Sequence, residues 1–201
     1  MAVTREQVEE LYVATFNRAS DAEGLDYWVN SGLNIEEIAA SFFDSEEVEA
    51  KYPLNQSNED FVQEIYQNVF NRDGEEEGVD YWTDALTNSN VAKDQMIMAM
   101  INGAQGIDNS ILENKTEAGL EFANAGLNNI NEAMLVMEGI TNDDATVINA
   151  HDMVMGFISD RNTDAEGTLA YTTGNQDNGE NGENDNSTND TDIGYVDHFM
   201  M

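Results

Sequence analysis

An all-α fold is what this chain predicts, on three observations. Apolar residues recur at helical rather than alternating spacing up to about residue 160, and residues that start helices precede those runs. A duplication supplies the third: "FNRASDAEGLDYW" at 16–28 returns as "FNRDGEEEGVDYW" at 70–82. No stretch before residue 168 alternates as a strand would.

The elements follow in order. Thr4, with Gln7 three residues on, forms a capping-box pattern, and Val8, Leu11, Tyr12, Ala14 and Phe16 give the first helix one apolar side. The helix should stop near Asn17 and Arg18, where Ser20, Asp21 and Gly24 read as a loop. A second helix takes Leu25, Trp28 and Val29 as its apolar side, with Asp26 near its positive end. The third starts at about Asn34, uses Ile35, Ile38, Ala39, Phe42 and Phe43, and is extended by "DSEEVEAKYP" to Pro53, the only proline. After the linker "LNQSNED" the pattern restarts with Phe61, Ile65, Tyr66, Val69 and Phe70, then Val79 to Leu86, then "VAKDQMIMAMINGA".

Three further amphipathic segments follow, in "IDNSILENKTEAGLEFANAGL", "NINEAMLVMEGI" and "NDDATVINAHDMVMGFI", with Thr141 to Asp144 supplying N-cap residues for the last. The expected organisation is a helical repeat at 1–54, a second at 55–106, a helical extension at 107–160, and an acidic low-complexity tail at 161–201. The tail is rich in Gly, Asn, Asp and Glu, a composition that favours disorder in a free chain. Asp177, Asp185, Asp190 and Asp192 are its candidate Ca2+ ligands, since that ion prefers oxygen donors.

Charge excludes several function classes. With 41 acidic and 7 basic residues, the formal net charge is −34, so phosphate backbones and anionic membrane surfaces are repelled. Such self-repulsion calls for screening by salt or by a divalent cation such as Ca2+. There is no cysteine, which removes disulfides and thiolate chemistry, and the apolar runs are too short to span a bilayer. The start has no basic segment leading into an apolar one, so export without a cleaved N-terminal signal is the expectation.

The duplicated turn is the candidate site: Arg18, Asp21, Glu23, Gly24, Asp26, Tyr27 and Trp28 in the first copy, Arg72, Glu75, Glu77, Gly78, Asp80, Tyr81 and Trp82 in the second. A similar sequence recurs at Arg161, in "RNTDAEG", with Tyr171 one place late and no Trp, and reads either as a third copy or as coincidence. Structurally, each Arg should pair bidentately with an acid of its own loop, Gly should adopt a backbone angle that other residues avoid, and Tyr and Trp should cover Tyr12 and Phe16 or Tyr66 and Phe70. Functionally, the same residues offer an aromatic and carboxylate surface for a sugar, or a cation site at Asp21, Glu23 and Asp26. The structural reading carries the greater weight, because aromatic residues at helical spacing usually fill cores.

"LYVATFNRASDAEGLDYW" and "IYQNVFNRDGEEEGVDYW", with "DNSILENKTEAGLEFA" and "GITNDDATVINAHDMV", resemble a bacterial helical domain of unknown function. That domain is found in S-layer proteins and in RTX-type calcium-binding proteins exported by type I secretion. The resemblance spans residues 4 to about 158. It implies a surface location, and in some S-layer proteins the similar segment holds the layer to lipopolysaccharide. "LAYTTGNQDNG" looks like the junction to a calcium β-roll, although no GGxGxD nonapeptide follows, and "VDHFMM" resembles an uncleaved type I export signal.

Catalytic patterns are missing: no G-x-S-x-G, H-E-x-x-H, P-loop or G-x-G-x-x-G occurs, and His151 and His198 lie far apart. Met96, Met98, Met100, Met134 and Met137 read as core filling, and the N-x-S/T sequences at Asn55, Asn114, Asn186 and Asn189 as chance. The expectation is a non-enzymatic extracellular structural protein that assembles with itself in a Ca2+- or salt-dependent way. A module anchoring to cell-surface polysaccharide is the alternative, and a glycosidase a distant third.

Overall fold

Helices account for all the regular secondary structure among the described residues of the computed structural model, as the spacing predicts. It describes residues 2–88 and 90–173, with side chains through 163. In order these are α1 (Arg5–Phe16), α2 (Ala22–Val29), α3 (Ile35–Phe43), α4 (Glu46–Lys51), α5 (Asn58–Phe70), α6 (Glu76–Thr87), α7 (Lys93–Gly103), α8 (Ile107–Asn124), α9 (Ile130–Met137) and α10 (Asp144–Thr173). Residues 1–164 form one compact unit. The expected calcium ligands Asp177, Asp185, Asp190 and Asp192 lie outside the described residues.

Local chemistry sets the ends. Thr4 Oγ1 accepts the Gln7 amide and Gln7 Oε1 accepts the Thr4 amide, the reciprocal cap expected from the sequence. Asn34 and Glu37 repeat it at α3. The extension of α3 to Pro53 does not occur: the chain breaks at Asp44, and Ser45 caps the separate helix α4 by accepting the Val48 amide. A serine that satisfies an orphan amide makes a new start cheaper than helix continuation. At the other end of α1 and of α5, Asn17 and Asn71 sit in the left-handed region, each at φ 53°, and terminate their helices.

Helices α1, α5 and α8 supply the centre of the core, with Val8, Leu11, Val62, Ile65, Leu112 and Phe122 buried along them. Buried polar groups there complete one another. Tyr52 Oη donates to Thr15 O at 2.5 Å and accepts from Asn68 Nδ2 at 2.9 Å, while Asn68 Nδ2 also reaches Ala14 O. Lys115 Nζ donates to Asn68 O at 2.5 Å and to Asn17 Oδ1 at 3.2 Å. The carbonyls that α1 and α5 leave unpaired at their last turns thus find donors inside the core, one of them a cation at a negative helix end. Burial pushes the Lys115 ammonium down to about 8.

Candidate functional site

Each duplicated turn is built around its arginine. Arg18 Nε and Nη2 donate to Glu47 Oε1 and Oε2 at 2.8 and 2.9 Å, and Arg72 Nε and Nη2 donate to Asp108 Oδ1 and Oδ2 at 2.9 and 2.7 Å. The bidentate partner is therefore not an acid of the same loop, as expected, but the second residue of a later helix, α4 or α8. The own-loop acids contribute less: Asp21 lies 3.8 Å from Arg18, and Glu75 makes a single 2.9 Å contact with Arg72. Each guanidinium also lies over two rings, Tyr12 and Phe16 or Tyr66 and Phe70, at 4.9 to 5.7 Å from their centroids. A carboxylate at the start of a helix and a fork-shaped cation with no slack fix where that helix begins.

The glycines act by closeness, not by backbone angle. A Cβ on Gly24 would stand 2.6 Å from Tyr12 Oη and 2.8 Å from Asp21 Oδ2, and one on Gly78 would stand 2.5 Å from Tyr66 Oη. Neither has a positive φ; the left-handed residues are the two asparagines just before the arginines. Asp21 accepts the Gly24 amide at 2.7 Å and so caps α2. Burial raises the Tyr12 phenol far above its ordinary range, assisted by Asp21, so it stays neutral.

The aromatic pairs divide between core and solvent. Trp28 and Trp82 pack against the core, whereas Tyr27 and Tyr81 are 65% and 64% exposed. In both copies the Tyr ring meets its Trp edge-on at 4.9 Å. Trp28 packs on Phe42, at 5.3 Å, and Phe42 in turn on Tyr12 and Phe16, at 4.9 and 5.2 Å. Glu23, Asp26, Glu77 and Asp80 face solvent, and Asp26 pairs with Arg5. Among the described residues no group of three or more His, Asp or Glu side chains is placed to hold a metal ion, Asp21, Glu23 and Asp26 included.

The similar sequence at Arg161 forms no turn, which leaves the coincidence reading: Arg161 lies within α10 and donates to Glu132 at 3.0 Å. Asn114 is buried and donates to Thr141 O at 2.8 Å, which fits the reading of its N-x-T sequence as chance. Met96, Met100 and Met137 are buried, as core filling requires, whereas Met134 is exposed.

Sequence reasoning missed the residues that complete the turns. Glu47 and Asp108 each stand second in a helix, but nothing near them in sequence marks either as the partner of an arginine 29 or 36 residues away. Lys115 interrupts the apolar stripe Ile111, Leu112, Ala118 and Phe122, a mark of a buried cation. Glu9 is also fully buried; its carboxylate accepts the Ser20 amide at 3.1 Å and the Ser20 hydroxyl. Burial pushes it up to about 7 against the opposing pull of Ser20 and of Arg18.

A second region is an acid-lined groove of about 720 Å³, with Glu6, Glu10, Glu113, Glu117 and Glu121 from α1 and α8 and His151 from α10. His151 Nδ1 contacts Glu121 Oε1. Burial and then the neighbouring Glu6 and Glu113 raise the Glu10 carboxyl above its ordinary range.

Residues 39–107 match a family described as a domain of unknown function (DUF4214). The match begins within α3 and ends at the first residue of α8, so it takes in the whole second turn and stops one residue short of Asp108. No curated protein and no solved structure matches the chain. No helix among the described residues is long and apolar enough to cross a membrane.

Proposed function

We propose that this chain is a non-enzymatic surface protein that works outside the cell by assembling with copies of itself, in a salt- or Ca2+-dependent way. The observation that carries the reading is how the duplicated motif is used: its arginines, glycines and Asp21 are spent on holding helices together. Apolar side chains left uncovered on the last helices, Ile130, Met134, Ile148 and Met155, suit a contact between copies. The acid-lined groove and the net charge of −34 supply the ion dependence, because assembly concentrates like charges that counter-ions must offset.

Electron microscopy and light scattering of purified protein with Ca2+ and with chelator test this. Ordered assemblies that Ile148→Asp disperses are expected; a monodisperse monomer under every ionic condition overturns it. The second reading, attachment to cell-surface polysaccharide, is favoured by Tyr27 and Tyr81, which are equally exposed in both copies. A glycan array separates the two, and the double variant Tyr27→Ala, Tyr81→Ala should abolish any glycan signal with helix content unchanged. The tryptophans are poor probes for it, since their removal also loosens the core.

A further inference from the structure

A chain with nearly six acids for every base should leave no cation unpaired, which makes one exception informative. Arg5, Arg18, Lys51, Arg72 and Arg161 each have a carboxylate partner, and Lys115 is sealed in the core. The seventh, Lys93, has no carboxylate within ion-pair distance among the described residues. Glu64, the acid whose charge acts on it, is already held by Lys51 at 3.0 Å and by Gln56 at 2.9 Å. Lys93 is also the first residue of α7, where the helix's own amides disfavour a cation.

The surroundings of Lys93 are apolar. It lines a cavity of about 470 Å³ with Phe43, Val48, Tyr52, Pro53 and Leu54, and its Nζ lies 4.3 Å from the Phe61 ring centroid. Phe43 and Tyr52 stack nearly parallel, 11° apart, to form one wall. Leu54 stands fully exposed at the rim, and Glu49 is the only acid among the described residues that line the space. The volume falls in the range of small-molecule sites, which are mostly apolar with a few placed polar groups.

We propose that the cavity between α3, α4 and α7 binds a free medium-chain carboxylate, its alkyl chain against Phe43, Val48 and Tyr52 and its carboxylate on Lys93. An apolar enclosure with a single available cation complements a single-chain anion, and the rest of the surface repels anions, so the site is selective by default.

Titration calorimetry of the whole protein with sodium octanoate, decanoate and dodecanoate below their micellar concentrations tests this. One-to-one binding is expected, strengthening about fourfold per added methylene until the cavity is full. Lys93→Met and Lys93→Gln should each weaken decanoate by about tenfold or more, leave binding of 1-decanol unchanged, and retain the helical spectrum. Glu49→Gln should tighten decanoate. Equal affinity for decanoate and decanol, an undiminished affinity in both Lys93 variants, or binding only to phosphatidylglycerol vesicles overturns the proposal.

Discussion

The turn after α1 and the turn after α5 carry the same frame, yet the first is packed shut and the second left open. In the first, Phe42 fills the space between Tyr12, Phe16 and Trp28 at centroid distances of 4.9, 5.2 and 5.3 Å. In the second, Met100 takes the corresponding place, eight residues into its helix segment counted from the N-cap, as Phe42 is. A cavity of about 200 Å³ remains there among Tyr66, Phe70, Arg72 and Trp82. The arginine side chains follow suit, 4% exposed in the first copy and 34% in the second. A fixed hydrogen-bond frame thus tolerates very different packing, and the difference sets what each turn contributes to stability.

Loss of the arginine should separate the copies most. Arg18→Ala removes a buried fork and the cover of two rings, at a cost of about 3 kcal/mol, while Arg72→Ala, in a wetter place, should cost about 1 kcal/mol. Equal shifts in urea midpoint for the two variants would break the comparison.

Next in size is the buried acid. The Ser20 amide donates to Glu9 Oε1 at 3.1 Å, and 54 residues later the Gly74 amide donates to Gln63 Oε1 at 3.0 Å. The second copy does with a neutral amide what the first does with a carboxyl group pushed up to about 7. An unfolded Glu loses its proton near pH ~4.3, so between there and about 7 the folded state binds the extra proton. Stability therefore falls as pH rises through that window, and the contribution is gone above it. Glu9→Gln should leave stability near pH 4 unchanged and raise it by about 2–3 kcal/mol at pH 8. Lys115 works in the opposite sense: pushed down to about 8, it makes stability rise with pH from there toward the unfolded value of ~10.4. Chemical denaturation of wild type and Glu9→Gln at pH 4, 6 and 8 checks the acid limb.

Glycine replacement is third. Gly24→Ala presses on Tyr12, which Phe42 and Phe16 hold in place, and should cost about 2 kcal/mol; Gly78→Ala presses on Tyr66, which borders the open cavity, and should cost about 1 kcal/mol. Thermal unfolding distinguishes them, and Tyr66→Phe should relieve the second, because the atom met is the phenol oxygen.

Periodicity and caps made the helices legible: the α1 cap at Thr4 and Gln7, the stop at Asn17, and the restart after Pro53 all follow from residues near in sequence. The break between α3 and α4 was less so, because Ser45 competes with helix continuation on small energy differences. The turn's residues were legible as a group, but their partners were not. Whether Arg18 meets Asp21 or Glu47 depends on where α4 lands, a tertiary fact with no local signature. The αL role fell to Asn17 and Asn71 instead of glycine because a C-cap accepts Asn at little cost. Gly24 and Gly78 instead answer to tyrosines twelve residues earlier, a contact that no turn rule encodes.

The smallest effect is also the most direct test of why the copies differ. If packing alone separates them, Met100→Phe should rebuild in the second copy what Phe42 provides in the first. The new ring would sit among Tyr66, Phe70 and Trp82, taking up part of the 200 Å³ space and drawing Arg72 out of solvent. Cavity filling and a new aromatic cluster together should add about 1 kcal/mol. The gain should then increase the cost of Arg72→Ala toward that of Arg18→Ala, since the guanidinium would again be enclosed. A double-mutant cycle over Met100→Phe and Arg72→Ala measures that coupling, and additivity within ~0.3 kcal/mol would mean that the enclosure of the arginine is set elsewhere, by Glu47 against Asp108.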